Sequence, residues 1–194
     1  MCPLSPSHRA AIAAALPSVP LLSSLELGSN SIGDAGARSL AAALPALPQL
    51  RSLSLGLNSL GPEGVTALAA AFDAGSSPYL ESLDLQGNVA ACAAVTPLAA
   101  ALGSLPLLSR LNLRRTGCCD AFVHAVVPAL ARLPLLETAN LGGNEIGVEG
   151  ARSLAGWLSA PGAAPLLSSL GLRGNSRLPS DEERAILGPV FPRE

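Results

Sequence analysis

Leu22-Ser-Ser-Leu25-Glu-Leu27-Gly-Ser-Asn30-Ser-Ile32-Gly-Asp-Ala-Gly36 decides the fold, because the chain rewrites this stretch five more times. The leucines at 22, 25 and 27 with Asn30 return as Leu50, Leu53, Leu55 and Asn58, then as Leu80, Leu83, Leu85 and Asn88. The fourth copy is Leu108, Leu111, Leu113 with Thr116 in the asparagine slot, the fifth Leu136, Ala139, Leu141 and Asn144, the sixth Leu167, Leu170, Leu172 and Asn175. The middle apolar position advances by 28 to 31 residues each time. A fixed period of this size marks stacked units, none of which can bury its apolar side without its neighbours.

Such a unit has room for a short strand, a turn and a full helix. Leu40 and Leu44, four apart, share one helical face. The matching pairs are Leu68 and Phe72, Leu98 and Leu102, Val126 and Leu130, and Leu154 and Leu158. Trp157 then falls at the edge of the buried face. The asparagine is expected to turn inward and satisfy backbone groups that a non-sheet turn leaves orphaned. Gly36, Gly64 and Gly150 are expected where a side chain would crowd the strand–helix turn or where φ is positive.

The run leading into the helix is clean in Asn58-Ser-Leu60-Gly-Pro-Glu-Gly64 and Asn144-Glu-Ile146-Gly-Val-Glu-Gly150. It resembles the ribonuclease-inhibitor type of leucine-rich repeat, and the resemblance covers nearly the whole chain. It implies an α/β fold, a right-handed horseshoe-shaped solenoid with the parallel sheet on the concave face and the helices on the convex face. The family also includes the sensor regions of NLR-type receptors, Ran GTPase-activating protein and tropomodulin-like repeats. The implied function is a noncatalytic protein-interaction scaffold that binds a partner protein on its concave face. The resemblance also admits a regulator of an enzyme, such as a GTPase-activating or inhibitor protein, and an NLR-type sensor fragment. The chain lacks the acidic tail of the GTPase activators.

One domain is expected over 1–194, with 1–21 as an N-terminal capping helix or truncated repeat and 176–194 as a C-terminal cap. Ser7 is read as the N-cap of the first helix, and Ser180-Asp-Glu-Glu183 as a capping box for the last. Repeats three and four depart from the pattern. Asn88-Val-Ala-Ala-Cys92-Ala-Ala94 lacks both glycines, and Thr116-Gly-Cys118-Cys119-Asp120-Ala-Phe122 lacks the asparagine and puts Phe122 in the second glycine slot. Thr can replace only part of the asparagine's bonding, so repeat four is the expected irregular turn.

The net charge is −2 with a pI of about 5.7, which argues against a nonspecific nucleic-acid surface. All 12 basic residues are arginine. No apolar run is long enough and free enough of proline and charge to span a bilayer. The start has no signal-peptide pattern. These features, with the four scattered cysteines, lead to the expectation of a cytoplasmic, reducing environment and, through the family, of a cytoskeletal or ciliary association.

No nucleotide-binding, metalloprotease or serine-hydrolase motif appears, so no catalytic residue, cofactor or metal is assigned. Cys92, Cys118, Cys119 and His124 offer a thiol or metal site only weakly, because Cys118 fills a core isoleucine slot and adjacent cysteines rarely converge on one metal. Strand alternation instead turns two rows to the concave face. Glu26, Asp84, Asn112 and Asn140 belong to one and Arg110 to the other, with Arg114, Arg115 and Arg173 just beyond. The N-terminal half of this face is small and mildly acidic, the C-terminal half arginine-bearing, which suits a partner with an acidic segment. The alanine runs 41–43, 69–71 and 99–101 suggest a second surface, for self-association through the convex helices.

Overall fold

A computed structural model describes residues 6–88 and 95–188. Each sequence unit becomes a three-residue strand followed by a helix. The order is α1 (Pro6–Ala15), β1 (Ser24–Glu26), α2 (Gly33–Ala43), β2 (Ser52–Ser54), α3 (Pro62–Asp73), β3 (Ser82–Asp84), α4 (Val95–Leu102) and β4 (Arg110–Asn112). It continues with α5 (Asp120–Leu130), β5 (Thr138–Asn140), α6 (Val148–Leu158), β6 (Ser169–Gly171) and α7 (Ser180–Leu187). The six strands form one open parallel sheet in sequential order. Leu25, Leu53, Leu83, Leu111, Ala139 and Leu170 pair across it position for position. Parallel neighbours stand about 4.8 Å apart and packed helices about 8–10 Å apart, so the array bends with the sheet inside.

The leucines supply the cohesion. Leu50, Leu53, Leu55, Leu80, Leu83 and Leu85 are all fully buried in one continuous core. Leu25 and Leu170, on the two outer strands, are only half-buried, because each lacks one neighbouring strand among the described residues. Full burial of a leucine is worth about 1.5–3 kcal/mol, so inner repeats hold the array more firmly than its ends.

The asparagines do turn inward. Asn58 donates its amide to the carbonyls of Leu27 (2.7 Å) and Leu55 (2.9 Å). Its side-chain oxygen accepts the N–H groups of Asn30 (2.8 Å) and Ile32 (3.3 Å). Asn88 repeats this one unit on, bonding the carbonyls of Leu55 and Leu85 and the N–H groups of Asn58 and Leu60. Each asparagine therefore ties its own turn to the previous one. Thr116 manages half of this: its hydroxyl donates to Leu113 at 2.7 Å. Asn144 answers by accepting three amides, from Thr116, Gly117 and Cys118. The turn of repeat four is thus bonded differently from the others, while β4 stays in register with both neighbours.

Other expectations shift by a residue or a cause. Helix α1 begins at Pro6, one residue before the expected cap Ser7. Trp157, not Leu158, pairs with Leu154 in the core, an i,i+3 rather than i,i+4 spacing. The indole N–H has no hydrogen-bond partner among the described residues. Gly36, Gly64 and Gly150 all lie outside the positive-φ region, and crowding explains Gly64 and Gly150. A Cβ on Gly64 would lie 2.6 Å from Asp34 Oδ1 and 3.0 Å from the Ala37 Cβ. Residue 92 and the unusual stretch after Asn88 lie outside the described residues.

The return from helix to strand is as regular as the strands. Leu22, Leu50, Leu80, Leu108, Leu136 and Leu167 each donate a backbone hydrogen bond to the carbonyl three residues back, at 3.0–3.3 Å. Each closes a four-residue turn with proline second, where its fixed φ suits the bend.

Candidate partner-binding face

The sheet's inner face presents the side chains that the core leucines leave outward. A cleft of about 400 Å³ runs across β3 to β6, lined on its polar side by Ser82, Asp84, Arg110, Asn112, Thr138 and Asn140. A larger hollow of about 940 Å³ lies between β6 and α7 and reaches Arg173.

Four of the expected residues turn out to be employed by the fold itself. Asp84, Asn112 and Asn140 each accept the N–H two residues on, from Gln86 (2.9 Å), Arg114 (3.2 Å) and Gly142 (3.0 Å). These are Asx turns that fix the exit of β3, β4 and β5. Glu26 accepts hydrogen bonds from Ser24 and Ser52 and is otherwise exposed. Their polar tips still border the face, but part of their bonding capacity is spent.

The arginines are different. Arg110, Arg114, Arg115 and Arg173 are exposed, and none forms an ion pair among the described residues. Arg114, Gly142 and Arg173 hold equivalent places in successive repeats: the Gly87 amide bonds Arg114 O, and the Gly143 amide bonds Arg173 O. Arg114 and Arg173 thus stand two strand spacings apart, about 10 Å, with only Gly142 between them. Arg115 occupies a left-handed turn, φ 53°, and its side chain lies over Gly143.

Sequence reasoning missed the acids that organise the helices. Asp34 Oδ1 accepts the N–H groups of Gly61 (2.7 Å) and Gly64 (2.9 Å), at the start of α3 in the next repeat. Asp120 Oδ1 does the same for Gly147 (2.6 Å) and Gly150 (3.1 Å) at α6. Each carboxylate caps a helix that is not its own and meets the positive end of its dipole. The signal was present as an aspartate two residues before the second glycine slot, but only stacking shows which helix it serves.

Cys118 and His124 do not converge. Cys118 is buried against the Thr116 hydroxyl, 3.2 Å away, while His124 points outward from α5. Burial raises the Cys118 pKa to about 11. Cys119 is disulfide-bonded, whereas Cys118 is a free thiol. Among the described residues no group of three or more His, Cys, Asp or Glu side chains is placed to hold a metal. No helix among them is long and apolar enough to cross a membrane.

The family model described as leucine rich repeat matches residues 20–41, 47–69 and 133–155, and the sheet and asparagine ladder carry the same unit through the remaining repeats. The fold is a leucine-rich repeat solenoid. Its helix-bearing units resemble those of the ribonuclease-inhibitor type. This leucine-rich repeat array is similar to the tropomodulin C-terminal domain of Caenorhabditis elegans, at 14% identity and a TM-score of 0.56, over 95% of this chain and 92% of that one. It is also similar to leiomodin-1 actin-binding site 2, at 12% identity and a TM-score of 0.60, over 98% and 90% of the two chains. At these identities the likeness is one of fold. No curated protein matches the sequence.

Proposed function

We propose that this leucine-rich repeat solenoid is a noncatalytic scaffold that binds a partner protein on its concave face. The observation that carries the reading is the set of four exposed arginines on the C-terminal half of that face, with no ion-pair partner among the described residues. Arginine is a preferred hot-spot residue and holds carboxylates with a planar two-pronged fork. The partner therefore presents an acidic segment, with carboxylates about 10 Å apart for Arg114 and Arg173. The small side chains between them, Gly142 and Gly171, give that segment room to approach the sheet. The same reading treats 1–194 as one domain, working in the cytoplasm and on the cytoskeleton.

Actin is the first partner to test, because one structural neighbour is by its title an actin-binding site. Cosedimentation with actin filaments and capture from a cell lysate should both be run with the full chain and with Arg114→Glu plus Arg173→Glu. Partners retained by the first and lost by the second, more so at low salt, support the reading. Equal retention by both refutes it. Retention without actin narrows the partner and leaves the face assigned.

A further inference from the structure

The six proline turns form a ridge that the scaffold function does not use. Position three of such a turn points to solvent and normally carries a polar residue or glycine. Here it carries Leu21, Gln49, Tyr79, Leu107, Leu135 and Leu166. Leu21 is 83% exposed, Leu166 49%, Tyr79 43% and Leu135 39%. The turns repeat at the strand spacing, so this apolar line is about 24 Å long. With the exposed prolines beside it, it exceeds what scattered surface leucines need by way of explanation.

Charge says what covers it. The next residue but one after each ridge position flanks the line on the sheet side, and it reads Ser23, Arg51, Glu81, Ser109, Glu137, Ser168. Arg51 borders the ridge directly, its guanidinium 5.9 Å from the Tyr79 ring centre. Arg51 pairs with Glu81, and Glu137 is exposed with no ion-pair partner among the described residues. Lay a second copy along the ridge, antiparallel, about a two-fold axis between β3 and β4. Repeat two then faces repeat five, so Arg51 of each copy meets Glu137 of the other, and this happens twice. Leu21 meets Leu166, Tyr79 meets Leu107, and serines meet serines at the ends.

We infer that this ridge is a self-association surface, on which two copies of the chain pair antiparallel with reciprocal Arg51–Glu137 contacts. A two-fold interface must be self-complementary, and this flank is. The ridge is narrow, so the interface falls at the low end of stable sizes, below about 1,200 Å² in total, and the dimer is weak and concentration-dependent. It lies on a different surface from the concave arginines and stands or falls independently of the proposed function.

Sedimentation velocity of the full chain from about 1 to about 300 µM tests it. The expected result is a monomer–dimer equilibrium in which Tyr79→Glu plus Leu135→Glu raises the dissociation constant at least about tenfold. Arg51→Glu alone and Glu137→Arg alone should each weaken pairing, and the two together should restore it, since the reversed pair is again complementary. A monomer throughout the range overturns the inference and leaves the ridge to another partner. So does a dimer indifferent to the ridge variants but lost with Ala42→Glu plus Ala70→Glu on the convex helices. Restoration by the double charge reversal is an outcome that a merely destabilised fold would not give.

Discussion

Asp34 closes a helix in the repeat after its own, accepting the Gly64 N–H at 2.9 Å. Removing the carboxylate leaves two amides at the start of α3 without an acceptor, and Asp34→Ala should cost about 1–2 kcal/mol. Gly64→Ala should cost about 1–3 kcal/mol by overpacking against Asp34 and Ala37. Because the first change removes part of what the second collides with, the double variant should cost less than the sum. Denaturant melts of the four proteins measure this, and strict additivity would mean that the two sites do not touch.

The asparagine ladder gives a prediction of opposite signs. Asn58→Ala removes the oxygen that accepts the Asn30 and Ile32 amides, while the Leu27 and Leu55 carbonyls keep the amides of Asn30 and Asn88, and it should cost about 1–3 kcal/mol. Thr116→Asn should instead gain about 0.5–1.5 kcal/mol, by supplying the amide that Thr116 lacks. A melting temperature that falls for both would show that the fourth turn has no room for the longer side chain.

Leu57 and Arg115 hold left-handed backbone, φ 57° and 53°, where glycine stands in three equivalent repeats, Gly87, Gly143 and Gly174. A side chain there costs about 1–2 kcal/mol relative to a right-handed conformation. Leu57→Gly should therefore raise stability by about 0.5–1 kcal/mol after allowing for glycine's looser unfolded chain. Arg115→Gly should do the same while weakening capture of an acidic partner. Loss of stability in either variant would show that the side chain packs on something more valuable than relaxed backbone.

The cysteines predict a count and a pH dependence. Cys119 is disulfide-bonded, so a denatured, unreduced sample should titrate fewer thiols than a reduced one, which should titrate all four. Cys118 should resist alkylation in the native state at pH 8. Its thiol ionises near 9 in the unfolded chain and at about 11 when folded. The folded state thus holds its proton longer, so its contribution is complete below pH 9 and is lost progressively as pH rises to 11. Two units correspond to about 3 kcal/mol. Cys118→Ala should flatten that part of the stability profile, at the expense of some packing.

The spacing of Leu25, Leu53, Leu83 and Leu111 was enough to foresee the parallel sheet, because only one register puts a repeated leucine column inside. The inward asparagines were legible for the same reason: a polar residue at a fixed place in an apolar repeat must be bonding backbone. Trp157 was misplaced by one residue because helical periodicity tolerates both i+3 and i+4, and the neighbouring helix chooses between them. The concave rows followed from alternation alone, yet alternation cannot tell that Asp84, Asn112 and Asn140 spend an oxygen on their own turns while the arginines spend nothing.

By itself the sequence determined the solenoid, its period and which strand positions face in, since these depend on residues one repeat at a time. Only the tertiary structure decided which groups serve the neighbour. Asp34 and Asp120 cap the next helix, and glycine follows in the second slot of the next repeat, Gly64 and Gly150. Where the preceding repeat carries Pro62, Cys92 or Val148 in the aspartate slot, that place holds Ala94, Phe122 or Asp181 instead. The reason is distance: residues about 30 apart in the chain become contacts only after stacking, and a carboxylate and a Cβ cannot share the same few ångströms.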